Sequence, residues 1–483
     1  MSVLGGLLAI VALAGASPQG IERYLLQNGE PIVGVYYYPW FAGPPWGHVA
    51  FRPAVEYNNV DDPQQIRWLL KTITDRGINL ASFSYWDNKT YLRRLRLTME
   101  QAESLLKEGR PLFLSPYLEP PTIDKRFAHE EGIRRNVEFI STYLEAVGGS
   151  PCFPELGGRK FTNIYVAYYR PTDDPERFRA FLRSRYRSVA ALNKRWGTNL
   201  KSLGEVDPGR IKQGTLAFSD LQRFRAEELE RGWQETMRRI KERTGFDTAF
   251  TGDCSNSIVG ITRYMRAMTG LTWYTLGWEI NAPFCRPKIC SEVSKYTGST
   301  FLYTIGPGFI DRQQRWPGCR IEHDPFLYEC SWANALSTLP EGIMILTHTE
   351  WFEGSVIDYT REYGRRHLET TERYALLFKR CFPGIYVEKR RKKPIAVAYN
   401  EWVTARLRGG EGGEEAADLL GVIKAMQTLS VPFDIIPPDY LTEEELRGRA
   451  VVIVPCCGER LGEDDEGRDL DQALLDWVGK APG

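Results

Sequence analysis

The apolar residues of this 483-residue chain fall into short runs that alternate with stretches of helical spacing. Residues 32–40 are mostly β-branched or aromatic and end near Pro39, which is typical of a strand. Asp62 and Pro63 then provide an N-cap and a first helical residue, and the apolar positions that follow recur every three or four residues until Gly77. The pattern predicts a strand followed by a helix, and the same alternation continues along the chain.

Seven further runs have the composition and length of buried strands. They cover residues 77–86, 111–118, 163–170, 246–253, 271–276, 301–305 and 343–346. Helical spacing separates them, with helices predicted at 91–109, 129–148 and 372–380 and a helical insert over about 174–245. Parallel neighbours need crossover connections and buried faces need covering helices, so the pattern predicts a (β/α)8 TIM barrel over residues 30–388.

The alternation starts again after the basic segment 389–393. Strands are predicted at 394–400, 433–436 and 451–455, and helices at 414–430, 441–447 and 470–478. These elements predict a small Rossmann-like, amidotransferase-like α/β domain over residues 393–483. Because sheets of this kind usually contain more strands, we expect the domain to be partial.

The chain begins with an apolar stretch, residues 1–17, whose Ala14-Gly15-Ala16 ending resembles a signal-peptidase site. It is shorter than the roughly 20 residues that span a bilayer. We therefore predict a secretory signal peptide and a secreted or extracytoplasmic protein. An uncleaved membrane anchor and a buried apolar N-terminus are the alternatives.

The charge balance argues against a nucleic-acid partner, since 62 lysines and arginines match 62 aspartates and glutamates. Thirteen tryptophans and twenty-four tyrosines suit a protein that stacks aromatic rings on sugars, although an aromatic core would also use them. The five histidines form no zinc motif, so we expect neither a metal nor another cofactor. Cys285 with Cys290, or Cys319 with Cys330, could pair, but the odd total of nine cysteines indicates no disulfide framework.

The candidate chemistry follows the eighth predicted strand. Glu350 and Glu353 lie three residues apart, with Trp351 and Phe352 between them. Glycosidic cleavage uses one carboxyl group to protonate the leaving oxygen and another to act at the anomeric centre. Reactive residues of such barrels lie where strands end, which favours a catalytic pair over two solvated loop glutamates.

The ends of the other strands supply candidates for substrate binding, because they should converge on the same mouth of the barrel. Asp253 is one strand-end carboxylate, and Trp86 and Tyr274 are expected to stack on sugar faces while Glu119 accepts hydroxyl hydrogen bonds. The predicted substrate-binding residues are Tyr37, Tyr38, Trp86, Glu119, Tyr274, Asp311, Arg315 and Trp351.

Three segments resemble glycoside hydrolase family 99, the family of endo-α-mannosidases. Residues 347–354, THTEWFEG, are similar to the family pattern SFNEWHEG, with Thr349 in place of asparagine and Phe352 in place of histidine. Residues 304–317, TIGPGFIDRQQRWP, and 34–41, GVYYYPWF, resemble two further segments of that family in the same order. Residues 178–202 and the C-terminal unit instead resemble family 42 β-galactosidases.

The resemblance implies a retaining α-mannosidase that acts on an oligosaccharide or polysaccharide. Glu353 would be the acid/base, and Glu350 would assist the sugar 2-hydroxyl in attacking the anomeric carbon. Direct attack by a carboxylate remains open, as do a β-galactosidase-like specificity and a non-catalytic role in carbohydrate binding or polysaccharide assembly. Asn400-Glu401-Trp402 also resembles a glycosidase motif, but it follows the first strand of the C-terminal unit.

Overall fold

The computed structural model describes residues 18–40, 49, 51–55, 59–86, 89–119, 124, 129–165, 173–254, 259–274, 285–310, 320–402, 417–455, 463–464 and 467–480. Eight parallel strands close into a barrel in the order β3-β2-β1-β8-β7-β6-β5-β4, with β3 pairing to β4. The strands are β1 (Ile32–Tyr37), β2 (Leu80–Tyr85), β3 (Phe113–Leu118), β4 (Arg159–Ile164), β5 (Thr248–Cys254), β6 (Gly270–Trp273), β7 (Thr300–Ile305) and β8 (Gly342–Ile345).

Helices follow the strands, and most of them cover the outside of the barrel. They are α1 (Pro63–Thr74), α2 (Thr90–Lys107), α3 (Glu130–Val147), α4 (Pro175–Arg185), α5 (Val189–Trp196), α6 (Leu216–Thr244), α7 (Ile261–Met268), α8 (Cys285–Thr297), α9 (Pro325–Ser337) and α10 (Arg366–Arg390). The prediction for the last of these ended at residue 380, whereas α10 continues through Pro383. Within the described part of the chain, no helix is long and apolar enough to cross a membrane.

The fourth strand differs from its predicted position. Residues 163–170 are richer in aromatic and β-branched side chains, but β4 ends at Ile164, and residues 166–170 lie outside the described ranges. Pairing sets the register, because Lys160 lies opposite Thr248 of β5 and Asn163 lies opposite Tyr117 of β3. Local composition cannot report such pairings.

Polar side chains fill the middle of the barrel. Asn163 donates to the Ser82 hydroxyl at 3.1 Å and accepts from Thr251, and Thr272 donates to Thr251 at 3.1 Å. These four residues come from β2, β4, β5 and β6, so the hydrogen-bonded layer ties together strands that are not all neighbours. Since buried polar groups need partners, this layer is part of what selects the strand register.

The helical insert forms a core of its own. Phe178 and Leu182 of α4 pack with Leu192 of α5 and with Leu221 and Phe224 of α6. α6 then runs on to pack against α3 and α7 of the barrel. The insert is therefore attached to the barrel through one continuous 29-residue helix.

The C-terminal unit contains three parallel strands, β9 (Ile395–Ala398), β10 (Asp434–Ile436) and β11 (Val451–Ile453), in the order β10-β9-β11. Its helices are α11 (Ala417–Thr428), α12 (Glu443–Leu446) and α13 (Leu470–Lys480). Val397 and Ile435 face the barrel core, whereas Ala398, Ile436 and Leu470 form a separate core on the other side. Side chains on one face of the small sheet thus attach this unit to the barrel. The limits of the domain, residues 393–483, and its partial nature are predictions from the sequence.

Candidate active site

The segment that carries both glutamates leaves β8 as a tight loop organised by Thr347. The Thr347 hydroxyl accepts from the Glu350 backbone N–H at 3.0 Å and donates to the Ser355 carbonyl at 3.1 Å. The Thr347 carbonyl accepts from the Ile357 N–H at 2.9 Å. Residues 347–357 are called the acid loop. Contacts of the single residue Thr347 hold both ends of this loop together and fix the backbone position of Glu350.

A second hydroxyl ties this acid loop to β1. Thr349 donates to the Tyr38 carbonyl at 3.0 Å and accepts from the Tyr38 N–H at 3.0 Å, and its side chain is buried. This is the position where the resembled family has asparagine. Because the Thr349 hydroxyl already has two backbone partners, its role here is to hold Tyr38 beside the glutamates.

The two carboxylates differ in exposure. Glu350 is 5% exposed, whereas Glu353 is partly exposed. The Glu353 carbonyl accepts from the Ile310 N–H at 2.8 Å, which attaches the acid loop to the segment after β7. Trp351, between them, is fully buried in the hydrophobic core, so it packs beneath the loop instead of facing a ligand as predicted.

A buried carboxylate in the barrel, Asp253, is bound by two tyrosines. Asp253, at the end of β5, accepts hydrogen bonds from the hydroxyls of Tyr36, at 3.3 Å, and Tyr117. Burial raises the pKa of Asp253 well above its usual range, and the charge of Glu119 adds to the rise. The rings of Tyr36 and Tyr274 lie edge to face with centroids 5.5 Å apart, so Tyr274 packs against the tyrosines that bind Asp253.

Glu119 lies beside Glu353 at the mouth, the end of the barrel where the strands finish. Its carboxyl accepts from the Ser84 hydroxyl at 2.8 Å and is largely buried. Burial raises the pKa of Glu119 to about 8, and the negative charge of Glu353 contributes to the rise. At neutral pH Glu119 is therefore mostly protonated, so it can donate as well as accept a hydrogen bond.

Tyr38 and Tyr274 complete the surroundings of the acids. Burial raises the pKa of both phenols well above the usual range, and Glu353 contributes to the rise at each of them. Glu350 and Glu119 also act on Tyr38. Both hydroxyls therefore stay protonated next to the carboxyl groups, where they can donate hydrogen bonds to oxygen atoms.

Trp86 lies at the rim of the mouth, and the ring of Trp40 connects it to Tyr38. Its side chain is 38% exposed, and its indole N–H donates to the Ser84 hydroxyl at 3.1 Å. The Trp40 ring lies 6.0 Å from Trp86 and 4.7 Å from Tyr38. An exposed indole positioned by a hydrogen bond is suited to stacking on a sugar ring.

Tyr37 does not lie at the mouth. Its ring contacts Phe83 and His348 at centroid distances of 6.0 Å, and it lines a small cavity with Ile66 and Leu69 of α1. Successive strand residues point to opposite faces, so Tyr36 and Tyr38 face the interior while Tyr37 faces the helices. Alternation along β1 was the signal that could have selected Tyr36 instead of Tyr37.

Tyr165 was not among the predicted residues, and its ring lies edge to face with Tyr117, at 6.0 Å, and Tyr274, at 5.6 Å. Asp311 and Arg315 lie outside the described residues.

Among the residues that are described, no cluster of three histidine, cysteine or acidic side chains could hold a metal ion. Cys285 and Cys290, both on α8, are not joined by a disulfide, so the first suggested pairing is wrong. Cys330 on α9 has a reduced thiol, and its suggested partner Cys319 lies outside the described residues.

No protein-family model matches the chain, and no curated protein matches it. Among solved structures, a β-galactosidase from the psychrophilic Marinomonas ef1 superposes with a TM-score of 0.64 at 13% identity, covering 94% of this chain and 74% of that one. The family 42 β-galactosidase Gan42B gives a TM-score of 0.62 at 13% identity, covering 89% of this chain and 68% of that one. A family 99 endo-α-mannosidase from Bacteroides thetaiotaomicron gives 0.48 at 16% identity, covering 72% of this chain and 97% of that one.

Together these observations define a (β/α)8 barrel whose mouth carries a pair of glutamates among tyrosines. Its fold is similar to that of the two β-galactosidases, and the likeness extends over most of the chain. The likeness expected from the insert and the C-terminal unit is thus present in the three-dimensional structure. At these identities it establishes the fold, and the chemistry has to be argued from the site.

Proposed function

We propose that this protein is a glycoside hydrolase in which Glu350 and Glu353 are the catalytic residues. The supporting observation is that one loop after β8 holds both glutamates at the mouth, together with Tyr38, Tyr274 and Glu119. A carbohydrate-binding protein would need the aromatic rings and hydrogen-bonding groups, but it would not need two carboxylates on one fixed loop. The β-galactosidase activity of the two similar structures with the larger coverage belongs to the same class.

In the proposed mechanism, Glu353 gives its proton to the glycosidic oxygen as the bond from that oxygen to the anomeric carbon breaks. Glu350 takes the proton of the sugar 2-hydroxyl, whose oxygen bonds to the anomeric carbon from the other face. Glu353, now ionised, removes a proton from water as the water oxygen attacks the anomeric carbon. The bond from that carbon to the 2-oxygen breaks, and Glu350 returns its proton to the 2-oxygen, which gives net retention. Glu353 is the more exposed of the two glutamates, which suits the group that must meet both the leaving group and water.

The proposed substrate is an oligosaccharide or polysaccharide with an α-mannosidic linkage, as the three resembling segments imply. The second candidate is a β-galactosidase-like hydrolase, in which Glu350 attacks the anomeric carbon directly. The fold shared with β-galactosidases over 94% of the chain favours this alternative. The two candidates use the same glutamates and differ in the sugar and in the nucleophile.

A panel of aryl α-mannosides, α-glucosides and β-galactosides tests the proposal. We expect hydrolysis of the α-mannosides, with the α-anomer as the first product detected by NMR. Hydrolysis of β-galactosides alone would favour the second candidate. If no glycoside is cleaved while an oligosaccharide still binds in calorimetry, the hydrolase proposal is wrong and a binding or assembly protein replaces it.

A further inference from the structure

The backbone around Glu353 is held from outside the barrel at two successive carbonyls. The Glu353 carbonyl accepts from the Ile310 N–H, and the Gly354 carbonyl accepts from the His323 imidazole through its Nε2. Gly354 has a φ of 57°, a left-handed conformation that glycine adopts without a steric penalty. The direction of the chain as it leaves Glu353 therefore depends on the contact with His323.

His323 is in turn held by a second histidine. Its Nδ1 lies 3.2 Å from Nε2 of His367, near the start of α10, and both rings are buried. Tyr363 stacks on His323 with centroids 5.6 Å apart, and its hydroxyl donates to the His323 carbonyl at 3.3 Å. Phe51 covers His323 as well, with ring centroids 4.4 Å apart. The ring of His323 is consequently fixed in position and in orientation.

The segment after β7 is shaped to accept this ring. A Cβ atom on Gly308 would lie 2.4 Å from Cδ2 of His323, so a larger residue there would displace the imidazole. Gly308 belongs to the segment GPGFI, residues 306–310, whose last residue, Ile310, donates its N–H to the Glu353 carbonyl. The same short segment thus supports Glu353 directly and makes room for the histidine that supports Gly354.

The hydrogen-bond directions follow from the protonation state. Burial lowers the pKa of His323 to about 3. Burial also lowers the pKa of His367 to about 4; the charge of Arg366 adds to this decrease, and the charge of Asp324 opposes it. Both rings are therefore neutral at ordinary pH, and each carries one N–H. Because the Gly354 carbonyl only accepts, the His323 proton is on Nε2, its Nδ1 accepts, and His367 donates from Nε2.

We propose that His323 and His367 are positioning residues that aim the carboxyl group of Glu353 at the leaving-group oxygen. The inference rests on the proposed function, because it assigns Glu353 the acid/base role. Neither histidine needs to touch the substrate, since the effect passes through the Gly354 carbonyl. Misplacing a catalytic group by about 1 Å can cost about 100-fold in rate, which sets the size of the expected effect.

Dependence on the leaving group separates positioning from a general loss of structure. The 2,4-dinitrophenolate of a dinitrophenyl glycoside leaves without being protonated, whereas the phenolate of a phenyl glycoside needs a proton from the general acid. We expect His323→Leu to lower kcat/KM for the phenyl glycoside by about 100-fold but for the dinitrophenyl glycoside by less than about threefold. His323→Gln, whose amide can still donate to Gly354, should restore the phenyl glycoside rate to within about fivefold of the wild type.

His367→Leu provides a second variant in case His323→Leu does not fold. It removes the donor to His323 and the ring contacts with Tyr328 and Tyr363, but it leaves the hydrogen bond from His323 to Gly354. We therefore expect a loss of about tenfold on the phenyl glycoside, with the dinitrophenyl rate again little changed. Tyr143→Phe is the matched control, because it removes a buried hydrogen bond to Thr162, 3.1 Å long, between α3 and β4. Its ratio of the two rates should equal that of the wild type.

Equal losses on the two substrates in either leucine variant would overturn the positioning role while leaving the hydrolase proposal intact. The same holds if neither rate changes in a folded His323→Leu protein. A wild type that cleaves neither aryl glycoside would instead overturn the hydrolase proposal, and the inference with it. A ratio that changes equally in Tyr143→Phe would show that any loss of packing causes the effect.

Discussion

Two short segments of this chain look alike, and only one of them lies among the candidate substrate-binding residues. Glu350-Trp351 follows β8 of the barrel, and Glu401-Trp402 follows β9 of the C-terminal unit. Both glutamates come at the carboxyl end of a parallel strand, where α/β proteins place their sites. Both tryptophans are fully buried and serve as packing residues.

The surroundings of the two segments differ. Glu350 shares a loop with a second carboxylate, and the phenol of Tyr38 lies next to it. Around Glu401, Asn400 donates to the Glu463 carbonyl at 3.0 Å and Ser219 of α6 donates to the Trp402 carbonyl at 2.8 Å. Arg223 of α6 lies over the Trp402 ring at 5.4 Å and donates to the Glu463 carbonyl at 2.7 Å.

The segment around Glu401 therefore joins the helical insert to the C-terminal unit. The Asn400 amide and the Trp402 carbonyl make contacts within the chain, whereas the polar groups around Glu350 surround the mouth of the barrel. A Glu-Trp sequence at a strand end is thus not enough to define a catalytic site. The second carboxylate and the neighbouring strand ends make the difference.

The comparison is tested most strongly by neutralising one carboxylate in each segment. Glu353→Gln should lower kcat for an aryl glycoside by about 10²- to 10⁴-fold, because the amide can neither give nor take the proton. KM should change little, since the charge is lost but the shape is kept. Steady-state kinetics give the result, and Glu401→Gln, expected to stay within about twofold of the wild type, is the matched control. A larger loss in the control than in Glu353→Gln would assign the chemistry to the C-terminal unit.

The titration of Glu119 should make both activity and stability depend on pH. Because its pKa is about 8, Glu119 loses its proton as pH rises through 8, and the wild type should lose activity there because the carboxyl group can no longer donate a hydrogen bond to the substrate. The raised pKa also means that the folded state binds this proton more tightly than the unfolded state. Its contribution to stability is thus present in full below about pH 4.5 and is lost as pH rises towards 8.

Glu119→Gln removes both dependences. We expect the variant to lose the activity decrease near pH 8, and its Tm to fall less than that of the wild type between pH 5 and pH 8. Rate profiles and thermal melts over this range provide the measurements. An unchanged alkaline limb in the variant would show that another group titrates there.

The smallest effect should come from the contact between α6 and the C-terminal unit. Ser219→Ala removes the hydrogen bond to the Trp402 carbonyl and should lower the free energy of unfolding by about 1 kcal/mol. The kcat should stay at the wild-type level, because the change lies at the Glu401 segment. Urea denaturation and kinetics on the same sample give both values. Loss of activity without loss of stability would indicate that the two segments are coupled.

Much of the fold and part of the site could be predicted from local patterns. Strand and helix alternation depends on the spacing of apolar residues, so the eight-strand barrel and the three-strand unit follow from it. Glu350 and Glu353 belong to a contiguous motif, and Trp86, Glu119 and Tyr274 lie where strands end. These features require only neighbours in sequence.

The remaining features depend on contacts between residues far apart in the chain. Apolar spacing and one contiguous motif were enough to predict that strands alternate with helices and that two glutamates follow the eighth strand. The end of β4 at Ile164, the contacts of Tyr36 and Tyr117 with Asp253, and the contact of His323 with His367 could not be predicted in this way. Strand register and buried hydrogen bonds are set by partners that the closed barrel brings together, and no local pattern contains those partners.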